Sequence, residues 1–174
     1  MWRFVPKHAI SVVVVALTLV SLGLPTPAGA ASQAKAGGTG TTLRADLDGV
    51  PIKLVDVGHW YCHDFDYPVI HCFSHPEDLE KSSSLALAAT SVTYVTVYEF
   101  TFYQGAYMHI SQDYSILALI GWSDRISSLV VHTSAGGVFW TDWLYSGTRY
   151  SVCCLQQIGS LGSFNDTFSS VFQS

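Results

Sequence analysis

Positive charge is scarce in this sequence: Lys and Arg together number eight among 174 residues, against 13 Asp and Glu. Two of the eight, Arg3 and Lys7, lie near the N-terminus, so the rest of the chain has six basic residues, 13 acidic residues and a net charge near −7. A surface that binds phosphates needs a concentration of Lys and Arg. We therefore expect neither nucleic acid nor an anionic membrane as a partner.

A hydrophobic run long enough to span a bilayer is also lacking. The apolar segment Ala9–Leu24 has 16 residues, short of the ~20 that a membrane helix needs. It follows a basic start and precedes the small-residue pattern Ala28-Gly29-Ala30, which is typical of a cleavage site. We expect residues 1–30 to be a signal peptide, residues 31–42 a flexible linker, and the mature protein to be secreted and extracellular, without membrane association.

Catalytic motifs are missing as well. The sequence contains no G-x-S-x-G elbow, no H-E-x-x-H pair and no Gly-rich phosphate loop,. His109 and His132 occur singly in predicted strands, where we expect surface residues rather than catalytic bases. The sequence therefore predicts a protein without enzymatic activity and without catalytic residues.

Cysteine is limited to Cys62, Cys72 and the adjacent pair Cys153 and Cys154, which we expect to be oxidised in an exported chain. Adjacent Cα atoms lie ~3.8 Å apart, below the usual disulfide range of ~4.4–6.8 Å, and neighbouring strand residues point to opposite faces. Both arguments oppose a bond between Cys153 and Cys154. Two alternatives stay open: a local Cys62–Cys72 bridge, or two bridges that join the Cys62/Cys72 segment to the Cys153/Cys154 strand.

Four histidines surround the first cysteine pair, a composition that also occurs in zinc sites. They are His59, His63, His71 and His75. The segment contains several aromatic residues and Pro68, which favour extended structure. We therefore expect a disulfide here rather than a metal site.

Aromatic and β-branched residues are abundant and charges are few, which favours an all-β fold. In residues 43–91, an Asp48-Gly49 turn indicates one hairpin, and Trp60–Phe73 indicates a second that turns at Asp66-Tyr67-Pro68. Ser74 and Glu77 form a capping-box pattern that predicts a helix to about Ala89. This small disulfide-containing hairpin and helix segment is either an independent unit or a cover packed on the rest of the protein.

An internal repeat occupies the remainder of the chain, residues 92–174. Residues 98–105 are YEFTFYQG and residues 140–147 are WTDWLYSG; residues 123–128 are SDRISS and residues 165–170 are NDTFSS. In both pairs the equivalent residues are 42 positions apart. Several landmarks at one offset and in one order indicate two copies of the same structural unit.

The repeated pattern resembles the Greek-key signature of βγ-crystallins: an aromatic residue, four others, Phe or Tyr, one residue and Gly, then Asn/Asp-Asn/Asp-x-x-Ser/Thr-Ser. The first copy departs from it because Ser123 replaces Asn or Asp. The resemblance implies an all-β, two-Greek-key β-sandwich over residues 92–174, with four strands from each repeat. We expect each first aromatic ring to lie over the Gly of its motif. The implied fold residues are Tyr98, Tyr103, Gly105, Ser128, Trp140, Tyr145, Gly147 and Ser170.

In this family the second half of the signature is a calcium site, so the resemblance also implies Ca²⁺ as a weakly bound cofactor that stabilises the fold. Calcium prefers oxygen ligands. The implied set joins Asp124, the Arg125 carbonyl and Ser127 in one site, and Asp166, the Thr167 carbonyl and Ser169 in the other. Ser123, Asn165 and Glu99 are further oxygen donors, and ligands can cross between the repeats. Because of Ser123 and the charge of Arg125, we expect the Asn165–Ser170 loop to be the better site.

A second function implied by the resemblance is that of a secreted proteinase inhibitor or a killer-toxin-like protein, in which the sandwich presents loops to a protein target. Aromatic residues such as Trp143 and Tyr145 favour such contacts, and sugar binding through the same residues is a third alternative. In each case we expect a monomer.

Overall fold

The computed structural model describes residues 42–89, 94–132, 134 and 136–173. The expected signal peptide and nearly all of the expected linker lie outside these residues. The described elements, in chain order, are β1 Arg44–Leu47, β2 Val50–Ile52, β3 Tyr61–His63, β4 Val69–Phe73, α1 Pro76–Ala89, β5 Val95–Phe100, β6 Gln104–Ile110, β7 Ser128–Val131, β8 Gly137–Trp140, β9 Arg149–Val152, β10 Gln157–Ile158 and β11 Ser170–Gln173. Short 3₁₀ helices cover Leu54–His59, Leu117–Ile120 and Gly162–Phe164. No helix within these ranges is long and apolar enough to cross a membrane.

The strands form two sheets with a shared core. Among the described residues the larger sheet has the order β10-β7-β5-β6-β3-β4-β1-β2, and the smaller has the order β11-β8-β9. Along each strand alternate side chains point inward, so Val97, Met108 and Leu129 of the larger sheet are fully buried in one cluster with Phe139 and Val171 of the smaller. The predicted all-β sandwich is confirmed.

Each repeat contributes a segment to the sheet of the other repeat. Strand β10 belongs to the second repeat but pairs with β7 of the first. Conversely, Tyr114 of the first repeat forms a bridge with Val171 on β11, through two N–H···O bonds of 2.9 Å. The third of the four strands expected of the first repeat is therefore reduced to a single bridging residue. This exchange ties the two Greek keys into one body.

Residues 43–91 contain the elements that their local sequence predicts. Strands β1 and β2 pair around the Asp48-Gly49 turn, and β3 and β4 pair around Asp66-Tyr67-Pro68. Helix α1 begins at Pro76, where the missing N–H of proline has no cost. Both predicted hairpins and the predicted helix are confirmed.

This segment is not an independent unit, because its strands extend the larger sheet at the edge and α1 packs on one face of that sheet. Strand β3 runs parallel to β6, with Cys62 opposite Met108 and His63 opposite His109. Directly after β3, the buried carboxylate of Asp64 accepts hydrogen bonds from Ser111 N (2.7 Å) and Ser111 Oγ (2.6 Å). It also accepts one from Tyr114 Oη at 3.0 Å. The hairpins and the Greek keys therefore share one sheet and one core.

Both disulfides are local. Cys62 and Cys72 are directly opposite on β3 and β4 and are bonded, with Cα atoms 4.1 Å apart; this is the first of the two open alternatives. The structure places Cys153 and Cys154 as a pair, an arrangement that the sequence argued against. The difference arises because β9 ends at Val152 and Cys154 has a φ of +61°, so the alternation of strand side chains does not apply.

The outer face of the larger sheet is partly covered by α1. His109 on β6 is only 4% exposed, and its Nε2 lies 3.7 Å from Glu80 Oε1 on the helix. Thr96 Oγ1 bonds His109 Nδ1 at 2.8 Å and His132 Nε2 at 2.7 Å. The prediction of a surface position is wrong for His109, because the helix packs on that face.

Candidate functional site

The two motif hairpins fold back in the same way. Ser128 Oγ donates to the Phe100 carbonyl (2.7 Å) and accepts from Tyr103 N (3.0 Å). Ser170 Oγ likewise donates to the Asp142 carbonyl (2.7 Å) and accepts from Tyr145 N (3.1 Å). Each buried serine thus satisfies two backbone groups of its hairpin, which fixes the positions of the residues that follow the first aromatic.

The first aromatic of each motif contacts the motif tyrosine. The rings of Tyr98 and Tyr103 meet edge to face at 5.5 Å, and those of Trp140 and Tyr145 at 5.4 Å. Gly105 and Gly147 both have a φ of +80°. The space beside these glycines is filled by the side chains of residues 99 and 100, and of residues 141 and 142. The two side chains that follow the first aromatic of each motif therefore pack against its glycine.

The two polar loops cross between the repeats. Asp124 N donates to the Phe168 carbonyl (2.9 Å), and Asp166 N donates to the Ile126 carbonyl (3.0 Å). As a result, Ser169 Oγ donates to Asp124 Oδ1 at 3.2 Å and Ser127 Oγ donates to Asp166 Oδ1 at 2.9 Å. The grouping of Asp124 with Ser127, and of Asp166 with Ser169, is replaced by the crossed grouping.

Both loop aspartates have left-handed backbone conformations, with φ of +55° at Asp124 and +53° at Asp166. Asp and Asn tolerate this region better than most residues. The neighbouring position differs between the loops. Ser123 Oγ bonds Ser169 Oγ at 2.7 Å, whereas Asn165 Nδ2 donates to Asp166 Oδ2 at 2.7 Å.

One crossed loop borders a small pocket that we call the Arg125 pocket. Its volume is about 150 Å³, and it is lined by Glu99, Phe100, Asp124, Arg125 and Asp166. The Arg125 guanidinium forms an ion pair with Glu99. Glu99 also accepts a hydrogen bond from Ala106 N at 3.3 Å. Glu99, which the resemblance implied as a further calcium ligand, is thus already paired with the Arg125 guanidinium.

The other crossed loop borders a larger pocket that we call the Trp143 pocket. Its volume is about 610 Å³, and it is lined by Asp124, Thr141, Asp142, Trp143, Ser146 and Ser169. Asp124 and Asp142 are exposed, and 55% of Trp143 is exposed. Thr141 Oγ1 accepts a hydrogen bond from Thr148 N at 2.9 Å. No Lys or Arg is among the six lining residues, so this pocket has two carboxylates and no cation of its own.

Arg125 and Thr167 occupy equivalent positions in the two repeats, 42 residues apart. Thr167 Oγ1 donates to the Phe164 carbonyl at 2.9 Å. Arg125 and Glu99 line the Arg125 pocket and Thr141 lines the Trp143 pocket, whereas Thr167 is not among the residues that line either. The repeat alignment contains this difference, but the crossing of the loops decides which carboxylate each side chain meets.

Away from the pockets, Asp64 and two histidines are buried titratable groups that the sequence did not identify as important. Burial raises the pKa of Asp64 to about 6, against the opposing effect of its hydrogen bonds from Ser111, Tyr114 and Gln112. Burial lowers the pKa of His63 to about 4 and that of His109 to about 3. No pattern in the sequence marks these positions, because their burial depends on α1 and on the β3–β6 pairing. Cys62 and Cys72 are bonded to each other, so neither sulfur is a free thiolate.

No protein-family model and no curated protein matches the sequence. Solved βγ-crystallin domains are similar to part of it. One from Ciona intestinalis is 25% identical, covering 47% of this chain and 99% of that one, with a TM-score of 0.43. Another from an archaeon is 23% identical, covering 48% and 99%, with a TM-score of 0.43. A third, from Flavobacterium johnsoniae, is 24% identical, covering 46% and 92%, with a TM-score of 0.42.

Two sequence motifs at one offset, two hairpins fastened by equivalent serines and two crossed loops occur within residues 94–173. Through these features, this part of the chain resembles the paired Greek-key motifs of βγ-crystallin domains.

Proposed function

We propose that this protein is a secreted, non-enzymatic calcium-binding module in which the ion stabilises the fold. The observation that carries the proposal is the contact between Asp124 and Ser169 at the Trp143 pocket. A carboxylate from one repeat and a hydroxyl from the other meet there beside a second carboxylate, that of Asp142. An ion held at this point would link the two repeats.

The oxygen ligands around the Trp143 pocket are of the chemical type that calcium prefers. Its polar groups are carboxylate and hydroxyl oxygens, which are the ligands that Ca²⁺ prefers, and Ca²⁺ accepts flexible geometry with several waters. Two carboxylates are few, and within the described residues no group of three or more His, Cys, Asp or Glu side chains converges as a metal site. A small number of charged ligands favours weak binding, in the extracellular range of about 10⁻⁴–10⁻³ M.

The Arg125 pocket is the poorer of the two. The guanidinium beside Glu99 would repel a divalent cation, and displacing it would break the ion pair. The sequence favoured the Asn165–Ser170 loop as a whole, but the two loops cross, so each aspartate lies beside the serine of the other loop. We assign the better site to Ser169 of that loop together with Asp124, rather than to Asp166.

The consequence is that the stability of the fold depends on the calcium concentration. An ion that binds only the folded state stabilises it by mass action. With a dissociation constant of about 1 mM, 10 mM calcium would add about 1.4 kcal/mol to the free energy of unfolding. For a domain of this size that corresponds to a rise of roughly 3–6 °C in the melting temperature.

The test is a calorimetric calcium titration of the wild type and of two matched variants, Asp124→Asn and Asp166→Asn. Asparagine tolerates the left-handed backbone conformation at both positions and removes only the charge. We expect Asp124→Asn to weaken binding by about tenfold and Asp166→Asn to leave the main binding event intact. Each variant is also melted in calcium and in chelator.

Two results would contradict the proposal. Wild-type melting temperatures that agree in chelator and in 10 mM calcium, with no heat of binding, would exclude calcium as a ligand. A loss of binding in Asp166→Asn but not in Asp124→Asn would place the ion in the Arg125 pocket instead.

A further inference from the structure

The two repeats pair their strands in the same register. Thr96 lies opposite His109 between β5 and β6, and Val138 lies opposite Ser151 between β8 and β9. Each residue of the second pair follows its counterpart in the first by 42 positions. The same offset relates the β5–β7 ladder to the β8–β11 ladder. Strand β9 is therefore the structural equivalent of β6.

The outer edge of β6 is covered, whereas the equivalent edge of β9 is open. Strand β3 pairs with β6 and places Cys62 opposite Met108, which is fully buried. Within the described ranges, β8 is the only strand that pairs with β9. Tyr150, the equivalent of Met108, is only half-buried and packs on the half-buried ring of Phe164 at 4.9 Å. The first repeat therefore shows that a strand fits at this position, and the second repeat leaves it uncovered.

The backbone groups of Arg149 and Ser151 point towards this open edge. The carbonyl of Trp140 accepts from Ser169 N at 2.9 Å, on the β11 side of β8. Trp140 therefore does not exchange hydrogen bonds with Arg149, which lies opposite it, and the N–H and C=O of Arg149 face away from β8. Ser151, two residues further on, has the same orientation, and its equivalent His109 directs its carbonyl to the segment after β3 in the same way. Both Arg149 and Ser151 are exposed.

We propose that two copies of the protein pair through β9 as an antiparallel, two-fold symmetric dimer that joins their smaller sheets into one continuous sheet. The register is centred on Tyr150, because Arg149 and Ser151 flank it symmetrically. Arg149 of each copy then lies opposite Ser151 of the other, and each such pair exchanges both of its N–H···O bonds. The two Tyr150 rings meet at the non-hydrogen-bonded position, where cross-strand side chains are closest, and cover the open end of the core.

A second copy is the occupant because β9 matches itself better than it matches the other strand edges in the described part of the chain. Strand β2 has three residues and includes Pro51, which has no N–H to donate, and β10 has two residues. Strand β11 is bordered by Tyr114. Self-pairing also places Arg149, the charged residue of β9, opposite a serine rather than a like charge. A two-fold contact closes on itself, whereas a contact between different edges continues into a filament.

This inference goes beyond calcium binding and does not depend on it, because β9 lines neither the Trp143 pocket nor the Arg125 pocket. It replaces the monomer that the sequence predicts. A strand of four residues gives a small interface, of the kind that associates weakly. The dimer is therefore sought at high protein concentration.

The experiment is sedimentation equilibrium of the purified protein in chelator, at concentrations up to about 1 mM. Ser151→Pro removes the outward N–H and leaves the β8–β9 ladder intact, since proline is tolerated where an edge N–H faces away from the sheet. Ser151→Ala keeps the N–H and is the matched control. We expect Ser151→Pro to raise the dimer dissociation constant at least about tenfold and Ser151→Ala to leave it within about twofold. Melting temperatures of both variants confirm that the fold is retained.

Two charged variants test the register without proline. In the proposed pairing, a glutamate at position 151 faces Arg149 of the other copy and a lysine at this position faces a like charge. We expect Ser151→Glu to tighten the dimer by about two- to tenfold and Ser151→Lys to weaken it by a similar factor. Hydrogen exchange at the amides of Arg149 and Ser151 is expected to slow as the protein concentration rises, because these N–H groups become bonded only in the dimer.

The proposal is overturned if the wild type remains a monomer throughout this concentration range. It is also overturned if a dimer forms that Ser151→Pro does not weaken, or if the glutamate and lysine variants associate equally, since either result places the contact on another surface or in another register. Assemblies that grow without limit would show pairing between different edges and would exclude the two-fold contact. A wild-type dimer with the expected order of the four variants supports it.

Discussion

Acid pH is expected to destabilise this protein through the buried imidazole of His63. The ring is completely buried, stacks on Phe65 at 5.0 Å and bonds Ser82 Oγ through Nε2 at 3.0 Å. Its Nδ1 is buried without a hydrogen-bond partner among the described residues. A proton added to this nitrogen would place a charge where neither water nor an acceptor can stabilise it.

The direction and size of the change in stability with pH follow from the pKa of His63. Burial lowers the pKa of His63 from 6.5 to about 4, His71 adds repulsion, and Asp66 and Asp46 oppose the change. Below pH 6.5 the unfolded chain binds a proton that the folded protein does not, so stability is lost as the pH falls from 6.5 towards 4. One proton changes the free energy of unfolding by about 1.4 kcal/mol per pH unit, giving a loss of about 3 kcal/mol over that window.

The assay is urea denaturation at pH values from 7.5 to 4.5 for the wild type and for His63→Gln. Glutamine is neutral throughout, and its amide can still reach Ser82, so this variant removes the titration with little change in packing. We expect the loss of stability on acidification to be smaller in His63→Gln by about 1.4 kcal/mol per pH unit. His75→Gln, which removes an exposed imidazole, controls for the loss of one histidine. Parallel stability curves for the wild type and His63→Gln would refute the reasoning.

Two further predictions concern the second hairpin. Ser170→Ala leaves the carbonyl of Asp142 and the N–H of Tyr145 without their partner, so we expect a loss of about 2–4 kcal/mol in urea denaturation; a loss under 1 kcal/mol would mean that the serine does not fasten the hairpin. Gly147→Ala forces a Cβ to about 2.6 Å from Asp142 Oδ2, whereas Gly49, with a similar φ of +81°, has nothing within 4 Å. We expect Gly147→Ala to lower the melting temperature more than Gly49→Ala does, and equal effects would show that only the backbone conformation matters.

Local signals in the sequence predicted the elements well. The Asp48-Gly49 turn, the Asp66-Tyr67-Pro68 turn and the start of α1 each depend on a few neighbouring residues whose backbone preferences are independent of the rest of the chain. The 42-residue offset predicted the sandwich for a related reason. A motif that needs an aromatic residue, a glycine and a serine at fixed spacing carries its tertiary contacts in its own sequence.

The candidate site was predicted in composition but not in arrangement. Both loop aspartates and Ser169 lie at the pockets, yet Asp124 meets Ser169 because the repeats exchange hydrogen bonds across their interface. Arg125 was expected to disturb the site beside its own loop. Its pairing with Glu99 affects the pocket that both Asp124 and Asp166 line, a consequence of a contact between residues 26 positions apart.

The sequence by itself determined the two repeats, the hairpins, the helix and the residue types of the loops, because periodicity, turn chemistry and motif spacing are local properties. Only the tertiary structure decided that residues 43–91 extend the larger sheet, that α1 buries His109, and which loop serine meets which aspartate. These outcomes depend on strand pairing and packing between distant segments, which stabilise one arrangement among several that the local pattern permits equally.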